Sequence, residues 1–160
     1  MAEPELITII NEPYPGDRFY YVGADRDGNQ FMAFVTGAFP GNTFPKTNAD
    51  WRDLKRWYAV LHRFDQAGNH IQTESLCAGT SAEDDSAVAE RAFSKLDAML
   101  GALRSPRLQP IRVKLFRHSN GEYVFGLFYE QDPDEPAEGW VMLQPNDVMF
   151  HEPWNGEYSS

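Results

Sequence analysis

Two stretches, FMAFVTGAF (31–39) and WYAVLHRF (57–64), carry apolar side chains at both alternating positions. Successive side chains of a strand point to opposite faces, so a strand that is apolar at both parities has to be covered on both sides. These segments therefore belong in the middle of a sheet. Each is half of a hairpin. RFYYVGADRDGNQFMAFVTGAF (18–39) sets β-branched and aromatic residues on both sides of Asp27-Gly28-Asn29, and RWYAVLHRFDQAGNHIQTESLCAGT (56–80) repeats the design around Gly68-Asn69. Gly and Asn tolerate the positive φ that tight turns need. The turns DRDGN and DQAGN share the spelling D-x-x-G-N, but only the turns match, and turn chemistry alone accounts for the likeness.

A third hairpin follows. IRVKLFRH (111–118) alternates, with Ile111, Val113 and Leu115 on one face and Arg112, Lys114 and Arg117 near the other, and it pairs with EYVFGLFYE (122–130) through Ser119-Asn120-Gly121. Between the second and third hairpins lies one helix, expected from about Ala82 to Leu103. Thr80 followed by Glu83 fits a capping box, Glu83, Asp84 and Asp85 suit the positive end of the helix dipole, and Val88, Ala92, Leu96, Met99 and Leu103 recur at helical spacing. NADWRDLKRW (48–57) reads as a further helical turn capped by Asn48. WVML (140–143) and DVMF (147–150) read as closing strands around Pro145-Asn146. The expectation is a single α+β domain over residues 1–160, a predominantly antiparallel sheet of hairpins with the helix packed on one face.

The chain has 24 acidic and 14 basic residues, a formal charge of −10. Residues 1–80 hold 7 basic and 10 acidic groups and residues 81–160 hold 7 and 14, so the second half is the acidic one. That balance repels phosphate backbones and anionic lipid, which argues against nucleic-acid and membrane partners and favours a basic protein. Solubility alone also explains it. No stretch approaches the roughly 20 apolar residues of a membrane span, and the start MAEPELITII has no basic run ahead of its apolar residues, so a cytoplasmic location is expected. The single Cys77 agrees with a reducing compartment and, in its apolar strand, reads as a small buried hydrophobe.

Catalytic signatures are absent: there is no nucleophile elbow, phosphate-cradling loop or dinucleotide fingerprint. Of the four histidines no two stand at i, i+4, so no metal and no cofactor are expected; His62 reads as a hydrogen-bonded core residue, His70 and His118 as solvated turn neighbours. DRDGN opens like a calcium loop, yet its Gly28 stands fourth instead of sixth and Thr36 occupies the twelfth position.

What remains is a candidate binding surface. The loop EQDPDEPAE gathers Glu130, Asp132, Asp134, Glu135 and Glu138, and Trp140 follows at once; the tail FHEPWNGEYSS adds Trp154 and Tyr158. Aromatic anchors rimmed by charge are a common composition for a protein-binding patch. For the tail a second reading is open, since Pro153 and Asn155-Gly156 supply a turn that folds Trp154 back onto the sheet.

RWYAVLHRFDQAGNH, AGTSAEDDSAVAERAFSKLD and FHEPWNGEY, in that order, resemble a group of small bacterial, largely actinobacterial, proteins labelled formate hydrogenlyase regulatory protein HycA. The resemblance implies that the PWNGEY turn is a recurring part of the domain. It transfers no catalytic residue, and the acidic character of the chain argues against operator binding. The functional expectation is a non-enzymatic protein-binding domain, an immunity protein that neutralises a basic toxin. A regulator of a transcription factor or enzyme subunit, and an enzyme or small-ligand carrier with a pocket between sheet and helix, are the alternatives.

Overall fold

The computed structural model describes residues 3–11, 20–45, 50–121, 123–135 and 137–159. Its first sheet is built from β2 (Tyr20–Ala24), β3 (Gln30–Ala38), β4 (Arg56–Phe64), β5 (His70–Thr80) and β6 (Arg107–Leu108), ordered β5-β4-β3-β2-β6 with every pairing antiparallel. The two stretches apolar at both parities are thus central, as their pattern requires. Phe31, Ala33, Val35, Ala59 and Leu61 point to one face and meet Val88, Ala92, Leu96 and Met99 of helix α2 (Asp85–Gly101). Met32, Phe34, Tyr58, Val60 and Phe64 point to the other.

That other face is covered by a second sheet, so the hairpins divide into two sheets instead of forming one. β8 (Phe116–Asn120), β9 (Tyr123–Gln131), β10 (Gly139–Gln144), β11 (Val148–Phe150) and β12 (Tyr158–Ser159) follow one another across it. Their inward residues Tyr123, Phe125, Leu127, Val141, Leu143, Val148 and Phe150 complete the main core. Tyr58 of β4 meets Tyr123 and Phe125 of β9 at ring separations of 5.4 and 5.5 Å, while Tyr20 of β2 meets Tyr158 of β12 at 6.2 Å. The two sheets are therefore stacked strand over strand, and the layers run helix, sheet, sheet. The outermost β6 and β12 are two residues long, whereas the opposite flank carries the 11-residue β5 beside β8, joined by a hydrogen bond from Asn120 Nδ2 to Ser75 Oγ of 3.1 Å.

IRVKLFRH does not form one strand. Ile111–Val113 (β7) pairs with β1 (Ile7–Ile9), a strand whose short apolar run gave no period to read, and only Phe116–Asn120 pairs with β9. The break follows from side-chain parity: Ile111 and Val113 are buried, and then Phe116, of the opposite parity, is buried too. At the break the Lys114 N–H donates to the carbonyl of Gly68, 2.9 Å away, which ties β7 to the second turn. Gln30 assists as a surrogate strand, its Nε2 donating to the Arg112 carbonyl (2.9 Å) while its Oε1 accepts from the Arg112 N–H (2.8 Å).

The helix begins three residues later than its sequence suggests. Asp84 is its cap, accepting from the N–H groups of Ser86 and Ala87, and Thr80 instead forms a turn with Glu83, whose carboxylate accepts from the Thr80 N–H. It ends at Gly101, with Leu103 still packed on the core beyond it. The short helix α1 (Trp51–Leu54) is capped by Asp50; Asn48 lies outside the described residues.

The two D-x-x-G-N turns are the same object built twice. Asp25 Oδ1 accepts from the N–H groups of Asp27 and Asn29, and Asp65 Oδ1 accepts from those of Ala67 and Asn69. In both, the glycine N–H donates to the aspartate carbonyl at 3.1 Å, and Gly28 and Gly68 have φ of 83° and 89°. Their surroundings differ. A Cβ at Gly28 would meet the flexible end of Gln66, but one at Gly68 would lie 2.8 Å from the Arg112 carbonyl oxygen and 3.0 Å from the Val113 Cα. Gly28→Ala should therefore cost about 1–2 kcal/mol, the backbone preference together with displacement of the exposed Gln66–Asp27 bond, and Gly68→Ala about 2–3 kcal/mol, since β7 has to move as well. Urea unfolding of the two variants checks the ranking.

Candidate functional site

The acidic loop is the β9–β10 connection. The pairs Gln131↔Gly139 and Glu130↔Trp140 close it, and the N–H groups of Asp132, Asp134 and Glu138 donate to the Glu138 carbonyl, the Asp132 carboxylate and the Glu135 carbonyl. Glu130, Asp134, Glu135 and Glu138 are exposed and Asp132 is half-buried. Turn bonds hold the loop and leave most of its carboxylates exposed, with no basic side chain bonded to them among the described residues.

Trp140 alternates with the buried Gly139 and Val141, so its ring stands on the outer side of the second sheet. Its indole N–H donates to Glu130 Oε2 at 2.9 Å, which fixes the ring across the strand pair. The register brings more apolar groups beside it. Met142 pairs with Phe128 on one side and Met149 on the other, all three half-buried and all opposite in parity to the inward core residues. Trp140, Met149, Glu138, His151 and Glu152 line a depression of about 390 Å³. An indole and a thioether floor it, and two carboxylates rim it.

Trp154 and Tyr158 are not part of that depression. Trp154 packs against the inter-sheet core, its carbonyl accepts from the Thr8 N–H of β1 (3.0 Å), and its own N–H donates to the His151 carbonyl (2.9 Å). Tyr158 pairs with Phe150 and makes edge contacts to Phe150 and Tyr20. Both tail rings are half-buried walls of the core, and the loop's Trp140 lies on the opposite side of the sheet. The tail is folded back by its own turn, in which Gly156 is buried against Ile10. Trp154→Ala should accordingly destabilise the protein by about 2–3 kcal/mol and Trp140→Ala by less than about 1 kcal/mol, compared by chemical denaturation.

A second cluster stands at the β5–β8 flank. His62 is fully buried and its Nδ1 is 2.7 Å from Thr73 Oγ1; the same hydroxyl is 2.7 Å from His70 Nε2. His70 stacks on Phe116 at 4.6 Å and lies 6.3 Å from the His118 ring. His62 is the hydrogen-bonded core histidine its position suggests, whereas His70 and His118 are half-buried in this aromatic cluster instead of solvated. Cys77 also departs from expectation: β5 is an edge strand in the described residues, and the thiol is exposed. Among the described residues no group of three or more histidine, cysteine or carboxylate side chains is placed to hold a metal.

Burial, and after it the nearby His70 and His118, pushes the His62 pKa well below its ordinary value; burial and then His118 lower that of His70. The folded state disfavours protonation of these rings, of His62 above all, while the unfolded chain takes up protons below about pH 6.5, so their contribution to stability is intact above that pH and is lost as pH falls. The slope should approach about 1.4 kcal/mol per pH unit from His62 alone, with a smaller share from the half-exposed His70. Urea unfolding between about pH 7 and pH 5 should show this slope, and His62→Leu should flatten it.

No protein-family model, curated protein or solved structure matches the chain, so the site has to be judged on its own geometry. No helix among the described residues is long and apolar enough to cross a membrane.

Proposed function

We propose that this chain is a non-enzymatic binding protein of the cytoplasm that docks a basic protein on the outer face of its second sheet, acting as an immunity protein that neutralises a toxin. One observation carries the reading: Trp140 is oriented by its hydrogen bond to Glu130 on a solvent-facing apolar strip, beside the carboxylates of Glu138 and Glu152. A fixed aromatic ring surrounded by charge is the usual form of an interface anchor, because little side-chain freedom is left to lose on binding. The loop carboxylates Asp132, Asp134 and Glu135 lie beyond it, where they attract a cation before contact. A net charge of −10, concentrated in the half of the chain that builds this sheet, extends the attraction.

The test is to recover the protein from lysate of its host beside a Trp140→Ala variant and a Glu130→Gln/Glu138→Gln/Glu152→Gln variant, then purify what the wild type alone retains. A basic protein should emerge whose association slows about tenfold or more as salt is raised from low to physiological strength. Trp140→Ala should weaken it by about 2 kcal/mol, mainly through faster dissociation. Expressed alone, that partner should arrest growth, and co-expression of the wild type should restore it. Equal retention by all three proteins would remove the docking face, and a harmless partner would remove the immunity role.

A further inference from the structure

The helix and both sheets meet around a cavity that the docking face does not use. It measures about 360 Å³, toward the lower end of the roughly 300–1,000 Å³ that small-molecule pockets span. Val35 of β3, Ala89 and Phe93 of α2, and Val148 of β11 supply apolar walls, and Trp57 of β4 closes another. Among its described lining residues none is charged, although the chain carries 38 ionisable acidic and basic side chains. The nearest charges, the Lys55 ammonium and the Asp85 carboxylate at Trp57, offset each other, so an entering ion would lose hydration for no net counter-charge and an uncharged molecule is what this space favours.

Three features go beyond empty volume. Phe93 is 43% exposed and stands outside the buried helical stripe of Val88, Ala92, Leu96 and Met99, so the helix presents a large ring to the cavity in addition to the face it packs on the sheet. Trp57 is held before any ligand arrives: its indole N–H is shared between Ser81 Oγ (3.0 Å) and Asp85 Oδ1 (2.9 Å), while the Lys55 ammonium lies 4.7 Å from its ring. A wall fixed in advance loses little freedom on binding. Finally, polarity on the walls is confined to a few uncharged groups, among them Thr36 and Asn146.

We propose that this cavity binds an uncharged aromatic molecule of two or three rings, stacked among Phe93, Trp57 and Val148. The site is distinct from the docking face, and its existence does not depend on a protein partner.

The probe is N-phenyl-1-naphthylamine, which is uncharged, has three aromatic rings, and fluoresces when it leaves water for apolar surroundings. Titrated into the full chain, it should give a saturable 1:1 enhancement. Ala89→Trp, which fills the cavity from the helix, should weaken binding about tenfold or more with an unchanged circular-dichroism spectrum. Phe93→Ser, at an exposed position, should weaken it as well, and the sulfonated analogue 8-anilinonaphthalene-1-sulfonate should bind about tenfold less tightly than the neutral probe. Absence of saturation would overturn the proposal. So would unchanged affinity in a folded Ala89→Trp protein and in Phe93→Ser, or equal affinity for the sulfonate.

Discussion

The pairing of β3 with β4, nine residues against nine, is the interaction on which everything else in the molecule rests. Because both strands are apolar at both parities, their backbone ladder can form out of water only if each face is covered, and two different coverings are recruited. α2 covers the side of Phe31, Ala33 and Val35; the second sheet covers the side of Met32 and Phe34. Removing either would expose a row of large side chains worth about 1.5–3 kcal/mol each when buried. The two D-x-x-G-N turns set the register of this central pair with its neighbours. They also meet each other, since Gln66 Nε2 donates to the Asp27 carbonyl at 3.0 Å.

The same arrangement separates three chemical environments. Between the sheets is a core rich in aromatics, with one buried histidine that has to stay neutral. Where the helix reaches the sheets is an uncharged cavity. On the far side of the second sheet is an apolar strip under carboxylates. β11 touches the last two at once, since Val148 lines the cavity and the next residue, Met149, lines the depression beside Trp140. Alternation along a three-residue strand is enough to do this.

How far all this is legible in the sequence depends on whether the signal is local. Periodicity and turn chemistry reveal β3, β4, the helix and the paired turns, because each is specified by residues that are neighbours in the chain. The Trp140 and acidic-loop half of the candidate site is legible for the same reason. Met149, His151 and Glu152 are not, since only the β10–β11 register carries them to Trp140. The division into two sheets is hidden as well: β9 has the same alternation whether it extends the first sheet or faces it. Ile7–Ile9 is too short to show a period, and it becomes a strand only because Ile111–Val113 lies opposite. His70 and Cys77 fail in opposite directions, one drawn into an aromatic stack and the other left in solvent. Whether a strand is central or at an edge is a tertiary fact.

The two flanks of the sandwich are unlike each other. On one, β6 and β12 end the sheets with two-residue strands; on the other, β5 runs for 11 residues with β4 as its strand partner among the described residues, and β8 lies against it. Strand addition needs a long run of free backbone, so among the described residues it is favoured at the β5 flank. Among the described residues β5 is the longest edge strand, so a second copy that paired with it about a two-fold axis would use that edge up. Edge stacking through β5 would then stop at two copies, and the unlike flanks work against fibres.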